Sequence, residues 1–553
     1  MKPLLTRLSI RNFKGIGDDW VDVPLCPITL LFGANSAGKS TILHALHYAR
    51  EIFERHNLDA DRTLAGGEFV DLGGFENFVH GHDKSLAVGL AFGIDLRGRQ
   101  MPDYLPNRDD LIDADRSLPD VGHTMHSATV QIAIECGSLE TRPAVTRYAV
   151  KINGEALASI SFSPDRGRSL CIDFLNARHP VFHPGLFGDD NADPNWSIMD
   201  DLYQSIFDEI PRQEQNLVLT GQLDAMPTWG KPLSIDLPNR PLSKRQPRLF
   251  KEAEPDHQRE LDFIENEQER HLFRNYLSLL LLAPGELIRK ALRDMRYLGP
   301  LRQLPGRNHH PPRYTDSGRW AGGLAAWDLI FWNSTLRAEC NRWLTAEDRL
   351  NIGCSAQVRE YLELKPDERL MLDAIVSQYA DRDAPDLMHE CAAILDNVPN
   401  GRRLFISDEA SHLELAPPDL GVGIAQIIPV VVAAVEQTEA LTLIEQPELH
   451  LHPALQANLA EVFIARANLG LGPVILETHS EHLILRILRR IRETHEGDLP
   501  EGHPGLVPNL VSVIYVGKQD GQIGASQLRI DETGEFRDRW PKGFFEERAE
   551  ELF

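Results

Sequence analysis

The chain begins with a period-two pattern, Leu8 and Ile10 separated by the polar Ser9, and then turns at Asn12 to Gly17. Alternation of that kind is the mark of a half-buried strand. From Pro27 to Phe32 the residues are almost all apolar, as a strand covered on both faces requires. After Thr41 the period lengthens, with Leu43, Leu46, Ala49 and Ile52 at helical spacing. A Gly-rich turn therefore joins a buried strand to a helix. His126 to Phe174 alternates again (Val130, Ile132, Ile134; Tyr148, Val150; Ile160, Phe162), with Asn153-Gly154 as a hairpin turn, and predicts an antiparallel sheet.

Asn176 to Pro255 is rich in Pro and Asp and reads as loops and short helices, ending in the basic Arg240, Lys244, Arg245, Arg248 and Lys251. Asp256 to Leu282 reads as a charged helix, Pro284-Gly285 as a turn, and the residues up to Met295 as another helix. Leu301 to Ser317 is expected to be a loop, Leu324 to Leu370 mostly helical, and Arg403 to Ile406 with Leu413 to Leu415 a short hairpin. The remainder alternates: a helix from Ala425, a strand Leu441 to Ile444, a helix from Pro453, a strand Val474 to Leu476 and a long helix Glu481 to Thr494. Strands alternating with helices mark an α/β core. Four parts are expected: residues 1–175, holding the first half of a nucleotide-binding head and the antiparallel lobe; an inserted loop and helical module over 176–295; a helical region over 296–400; and the second half of the head over 401–553.

With 553 residues, 42% hydrophobic and 25% charged, the composition is that of a folded soluble chain of more than one unit. The longest apolar runs, Leu279 to Leu282 and Val430 to Val435, fall far short of the ~20 residues a membrane span needs. Arg7 and Arg11 interrupt the apolar core a signal peptide would need, so a cytoplasmic protein is expected. The six cysteines form no Cys-x-x-Cys pair and read as reduced and mostly buried. A formal charge of −25 opposes non-specific attraction to nucleic-acid phosphates. Any such contact would be local, through the basic cluster at 240–251 or the Arg489, Arg490, Arg492 run.

Chemistry enters at Gly33-Ala34-Asn35-Ser36-Ala37-Gly38-Lys39-Ser40, which satisfies the G-x-x-x-x-G-K-[ST] pattern between its strand and its helix, with Thr41 completing the turn. The glycines let backbone N–H groups face phosphates, and the helix N-terminus adds partial positive charge. Lys39 is expected to reach the β and γ phosphates of ATP, and the Ser40 hydroxyl to bind Mg²⁺. A second signal is Leu441-Thr442-Leu443-Ile444-Glu445, an apolar strand ending on an acid, which makes Glu445 the expected magnesium acid on the strand beside the phosphate loop. Leu404 to Glu409 also ends on acids, but it precedes the Gly-rich turn and no long helix follows it, so Asp408 is the weaker candidate.

Asp419-Leu420-Gly421-Val422-Gly423-Ile424-Ala425-Gln426 resembles the signature loop of ABC-type ATPases in their RecF-like and OLD-like (overcoming lysogenization defect) form. Glu445-Gln446-Pro447-Glu448-Leu449-His450-Leu451-His452-Pro453 resembles their acidic motif and D-loop, Glu477-Thr478-His479-Ser480 their switch histidine, and Ile10 to Gly15 the first strand of RecF and SMC proteins. Tyr297-Leu298-Gly299-Pro300-Leu301-Arg302 and Trp540-Pro541-Lys542-Gly543-Phe544-Phe545 are similar to a bacterial subgroup that includes the ATPase subunit of Septu-type anti-phage systems. The resemblance implies an ABC-type P-loop head with an antiparallel β-lobe and an inserted helical module. It implies ATP sandwiched between the phosphate loop of one subunit and Gly421 and Gly423 of another, with His479 at the γ-phosphate.

Two positions depart from the family pattern. Ala425 replaces the signature serine, and Gln446 replaces the glutamate after the magnesium acid. An amide can orient a water but cannot accept its proton, so slow turnover is expected unless Glu448 substitutes as the base. His450 and His452 read as D-loop polar contacts, and His309 and His310 as a solvated loop. A Toprim nuclease of the OLD kind needs roughly 100 residues, more than follow His479, and no His-Asn-His or Cys-pair nuclease motif is present. The function implied is an ATPase subunit of an anti-phage complex that dimerises around ATP and regulates a separate nuclease. The alternative is a RecF- or SMC-like clamp that grips duplex DNA.

Overall fold

The computed structural model describes residues 3–102, 104, 125–137, 142–164, 169–176, 178–182, 217–235, 256–313, 316–378, 391–392, 395–396, 398, 400–519 and 521–540, those of 256–273 as backbone alone. The basic cluster at 240–251 and the Pro541 to Phe545 end of the terminal motif lie outside them. Three sheets organise the described chain. The first is antiparallel, built from β1 (Leu5–Arg11), β2 (Val21–Pro24), β4 (Val88–Asp95), β5 (Ser127–Cys136), β6 (Pro143–Ile152), β7 (Glu155–Ser163), β8 (Ser169–Leu175) and β9 (Leu217–Val218) in the order β2-β1-β4-β5-β6-β7-β8-β9. Alternate residues of β5 are buried, as the sequence pattern requires of a sheet with one covered face. Asn153 and Gly154 both have positive φ, the conformation that lets β6 and β7 close as a tight hairpin.

The second sheet is the core that carries the chemistry. Its strands are β3 (Ile28–Phe32), β10 (Arg296–Leu298), β14 (Thr442–Glu445), β15 (Val474–Glu477), β16 (Val511–Gln519) and β17 (Gln522–Leu528), in the order β10-β14-β15-β3-β16-β17, parallel except for the last pair. Both faces are covered. Leu31, Leu443, Ile475 and Ile514 join the core shared with the antiparallel lobe and helix Lys39–Arg55, while Leu30, Phe32, Ile444 and Leu476 pack under helices Leu324–Trp332, Val422–Val435 and Pro453–Asn468. The third sheet is small: β11 (Cys354–Leu362), β12 (Asn400–Asp408) and β13 (Glu414–Leu415).

Several expectations are corrected here. Pro284-Gly285 is no turn: one helix runs from Asp256 to Arg293 through it. Pro284 lacks the N–H that would bond the Leu280 carbonyl, and beside it the Tyr148 hydroxyl donates to the Leu281 carbonyl at 2.8 Å. Gly285 leaves the space for this approach, since a Cβ there would lie 2.4 Å from the Tyr148 hydroxyl. The stretch Leu324 to Leu370 is helical only in part, because β11 lies within it and pairs with β12 along its whole length. The strands β2, β16 and β17 were not anticipated. All six cysteines are free thiols, but only Cys340 and Cys354 are fully buried. No helix among the described residues is long and apolar enough to cross a membrane.

His47, on helix Lys39–Arg55, is wholly buried; its Nδ1 meets the Thr63 hydroxyl at 3.2 Å and its Nε2 has no partner. Burial holds its pKa well below 6.5, helped by neighbouring His44, Arg50 and Lys14. The native imidazole stays neutral while the unfolded one protonates, so the unfolded state binds the extra proton and stability falls as pH drops below 6.5. His47→Phe is expected to flatten this acid limb by about 1.4 kcal/mol per pH unit between pH 6.5 and 5, read from urea unfolding at each pH. An unchanged slope would show that His47 is not the group responsible.

Candidate functional site

The strand β3 feeds directly into the phosphate loop. Gly33 adopts a φ of +151°, and a Cβ there would come within 2.1 Å of the Val516 carbonyl oxygen on β16. Gly38, at φ +103°, is the N-cap of helix Lys39–Arg55, and no side chain caps that helix. The N-terminal turn is thereby left facing outward, as an anion site requires. Ser36 is also left-handed, at φ +61°. Lys39 is buried and donates from Nζ to the carbonyls of Gly33 and Ala34, each at 3.1 Å. A cavity of 370 Å³ opens here, lined by Lys14, Ser36, Lys39, His44, Glu477 and Lys518 among others.

The sheet order revises one expectation. The strand beside β3 is β15, not β14, so Glu445 stands one strand farther from the phosphate loop than expected. Glu477, which ends β15, is paired in register with Glu445, and its Oε2 accepts the Ser40 hydroxyl at 2.9 Å. Sequence reasoning quoted Glu477 only as part of the histidine motif. The signal that marked Glu445, an acid closing a buried apolar strand, applied equally to it. Asp408 lies on β12, where it accepts from the Ser411 backbone N–H and hydroxyl, away from the loop.

The charges of Glu477, Glu448 and Glu445 are near enough to favour the cationic form of Lys39, which burial disfavours. Glu445 accepts a 2.9 Å hydrogen bond from the Tyr297 hydroxyl. Burial and the facing Glu477 push its pKa up to about 7. Glu448 is buried, and its Oε1 accepts the His479 backbone N–H at 2.7 Å. Its Oε2 makes no hydrogen bond of ordinary geometry, although the Thr478 hydroxyl lies near enough to favour the charged form. Burial raises its pKa. Gln446 sits in a left-handed turn at φ +44°, donating its backbone N–H to the Glu477 carbonyl at 2.7 Å. The His479 ring is half-buried, and burial together with the Lys39 charge keeps it neutral. These oxygens and the Ser40 hydroxyl are hard donors of the kind Mg²⁺ takes. Among the described residues no group of three His, Cys, Asp or Glu is disposed to hold a metal unaided.

Gly421 and Gly423 are elsewhere. Gly421 is the N-cap of helix Val422–Val435, again with no side-chain cap, and a Cβ on Gly423 would lie 3.0 Å from the His450 carbonyl oxygen. They line a second cavity of 170 Å³ with Ile424, His450 and His452, which shares no lining residue with the first. Other candidates resolve into structure. His452 caps helix Pro453–Asn468 by accepting the Ala454 N–H at 3.3 Å. His309, expected in a solvated loop, pairs instead with buried Asp328 at 2.8 Å. In the basic run, Arg490 is buried against Glu461 and Glu493, Arg489 is bonded to Glu493, and only Arg492 is exposed with no such partner.

Two family models match parts of the chain. Residues 7–56 match a family model described as an AAA domain, and residues 372–484 one described as an AAA ATPase domain. The first holds the phosphate loop, and the second holds the signature glycines, the acidic motif and His479. No curated protein matches the chain. Similar solved structures include an Smc head bound to the C-terminal winged-helix domain of ScpA (11% identity over 96% of this chain and 99% of that one, TM-score 0.38). They also include an Smc head with an extended coiled coil, bound to the C-terminal domain of ScpA, derived from Pyrococcus furiosus (11% identity, 95% and 96% covered, TM-score 0.35). A third is an SMC head domain from Thermotoga maritima (8% identity, 95% and 100% covered, TM-score 0.32). The fold is that of an α/β P-loop ATPase head accompanied by an antiparallel β-lobe.

Lys39→Ala removes the cation held by the Gly33 and Ala34 carbonyls of the loop. Binding of labelled ATP, measured by filter retention, is expected to be lost, and retained wild-type affinity would refute the assignment of the site.

Proposed function

We propose that this chain is the ATP-binding and ATP-hydrolysing subunit of a bacterial anti-phage defence complex, pairing head to head around ATP and regulating a separately encoded nuclease. The observation that carries the pairing is the separation of the two glycine-rich helix N-termini. One, at Gly38, lies beside Lys39; the other, at Gly421, lies in a cavity with no basic or acidic lining residue of its own except histidine. A second copy that brings its Gly421 and Gly423 against the first copy's γ-phosphate completes the site. The nuclease rests on the Septu-like motifs, and the whole assembly is placed in the cytoplasm.

In this reading Gly33 to Thr41 cradle the phosphates, Lys39 neutralises the β and γ groups, and neutral His479 donates toward the γ-phosphate. Ser40, Glu445 and Glu477 are the residues that would hold Mg²⁺, which when bound screens the phosphate charge. Glu448 takes the proton from the attacking water as the bond to the leaving ADP oxygen breaks. Its buried carboxylate has one oxygen free of ordinary hydrogen bonds and a raised pKa, both suited to a base. Gln446 has no proton-accepting group and orients water at most. The clamp reading is disfavoured by the −25 charge and by the burial of Arg490.

Sedimentation with ATP and Mg²⁺ is expected to show heads pairing, and a monomer in every nucleotide state would overturn the proposal. Co-purification of a nuclease from the native host tests the partner. Glu448→Gln is expected to lower hydrolysis by about 10²-fold or more with ATP affinity kept, whereas Gln446→Glu changes the rate by about threefold at most. The reverse pattern would return the base to position 446 and leave the wild type as a slow switch.

A further inference from the structure

The segment Tyr297 to Arg302 carries two contacts that the site chemistry does not use. Tyr297 ends in the hydroxyl that bonds Glu445, and Arg302 lies five residues on, buried to 5% exposure. Arg302 Nη2 donates to the Glu445 carbonyl at 2.6 Å and the Gln446 carbonyl at 3.2 Å, so one guanidinium holds the end of β14 and the turn that leads to Glu448. Its other side belongs to a different element. Nη1 reaches the Gln426 carbonyl at 3.5 Å, the Arg302 N–H donates to Gln426 Oε1 at 3.2 Å, and Gln426 Nε2 donates back to the Arg302 carbonyl at 2.9 Å. Gln426 lies in the second turn of helix Val422–Val435, five residues past its cap Gly421. The Arg302 segment is itself anchored by Gly299 N–H to the Ala321 carbonyl at 2.9 Å and Gln303 N–H to the Gly322 carbonyl at 2.8 Å.

A helix moves as a rod over so short a distance, so a shift at Gly421 is felt at Gln426. There it meets a doubly bonded amide, and beyond that a buried cation whose remaining donors fix the acidic turn. We propose that Gln426 and Arg302 are a positioning pair that couples the two ATP sites of a dimer. Engagement of one head's signature helix by the partner's nucleotide resets that same head's own acidic turn, bearing Glu445 and Glu448. Resting on the pairing reading above, this makes hydrolysis in each site depend on nucleotide in the other. Arg302 touches no nucleotide and acts through Glu445, Gln446 and the turn after them.

The test compares wild type with Gln426→Ala and Gln426→Glu, the latter keeping the acceptor for the Arg302 N–H but not the donor. Hydrolysis per head is measured below and above the concentration at which sedimentation shows pairing. Below it, both variants are expected to bind ATP as wild type does and to show the same residual hydrolysis of an unpaired head. Above it, Gln426→Ala is expected to pair within about threefold of wild type yet hydrolyse about tenfold more slowly, with Gln426→Glu between. Arg302→Ala combined with Gln426→Ala should be no slower than Arg302→Ala alone, as two residues acting in one link require. Equal loss at both concentrations would make the pair a static support and overturn the inference. So would a wild-type rate above pairing, or loss of pairing itself. If wild type never pairs, sedimentation shows it before any rate is compared, and the head-to-head reading falls together with the coupling.

Discussion

Three buried carboxylates close enough to one another and to Lys39 to feel each other's charge are the constraint on which the rest of this site depends. Glu445, Glu448 and Glu477 all act on Lys39, and each is pushed toward its neutral form by burial. Such a cluster is unfavourable without donors to meet it. The neighbouring elements supply those donors in turn: Ser40 to Glu477, Tyr297 to Glu445, the His479 N–H to Glu448, and Arg302 to the carbonyls behind them. β15 lies between β14 and β3, and its end carries Glu477, followed by Thr478 and His479, to the edge where the phosphate loop leaves β3. A polyanionic ligand added to this edge increases the negative charge, so nucleotide needs an accompanying cation. The hard oxygens already present suit that cation.

Most of the site's local parts were legible from residues close together in the chain. The phosphate loop needs only one strand, one turn and one helix, all within the first half-hundred residues, and the spacing of Gly33, Gly38, Lys39 and Ser40 encodes it. The acids were legible as residue types but not as neighbours. Glu445 reads as the end of an apolar strand, yet whether that strand lies beside β3 is decided by segments hundreds of residues away. The same non-local pairing hid β11, whose partner β12 begins at Asn400, and β16, whose partner is β3. Local signals also misled. Pro284-Gly285 has the sequence of a turn yet lies inside a helix, against which Tyr148 packs with its hydroxyl on the Leu281 carbonyl.

Charge on the sequence proved a poor guide to charge on the surface. Three arginines within four positions, Arg489, Arg490 and Arg492, look like a basic stripe, but helical spacing turns Arg490 inward onto Glu461 and Glu493. His309 stands between loop residues and still finds buried Asp328, which Arg319 also holds at 2.8 Å. A buried carboxylate attracts whichever cation the fold brings within reach, because the unpaired state is the costly one. The pairings follow from tertiary packing, so the chain's net charge of −25 does not reveal them.

The separation of the two glycine-rich helix starts explains why these features occur in one chain. A head whose phosphate loop and signature loop faced each other could close its own site and would gain nothing from a second copy. Here the first cavity holds the charges and the second holds none but histidine, and the proposed pairing would bring one copy's second cavity to the other copy's first. In the proposed pairing, information about a partner's nucleotide would arrive at Gly421, at one end of helix Val422–Val435, whereas the acids proposed to act on the chain's own nucleotide lie at the ends of β14 and β15. Among the described residues, the guanidinium of Arg302 bonds both that helix and the end of β14. A conformational signal that must cross from one to the other has a direct route of hydrogen bonds through it. Tyr297 and Arg302 thus have a physical reason to be buried and anchored, although neither lines the cavity beside Lys39.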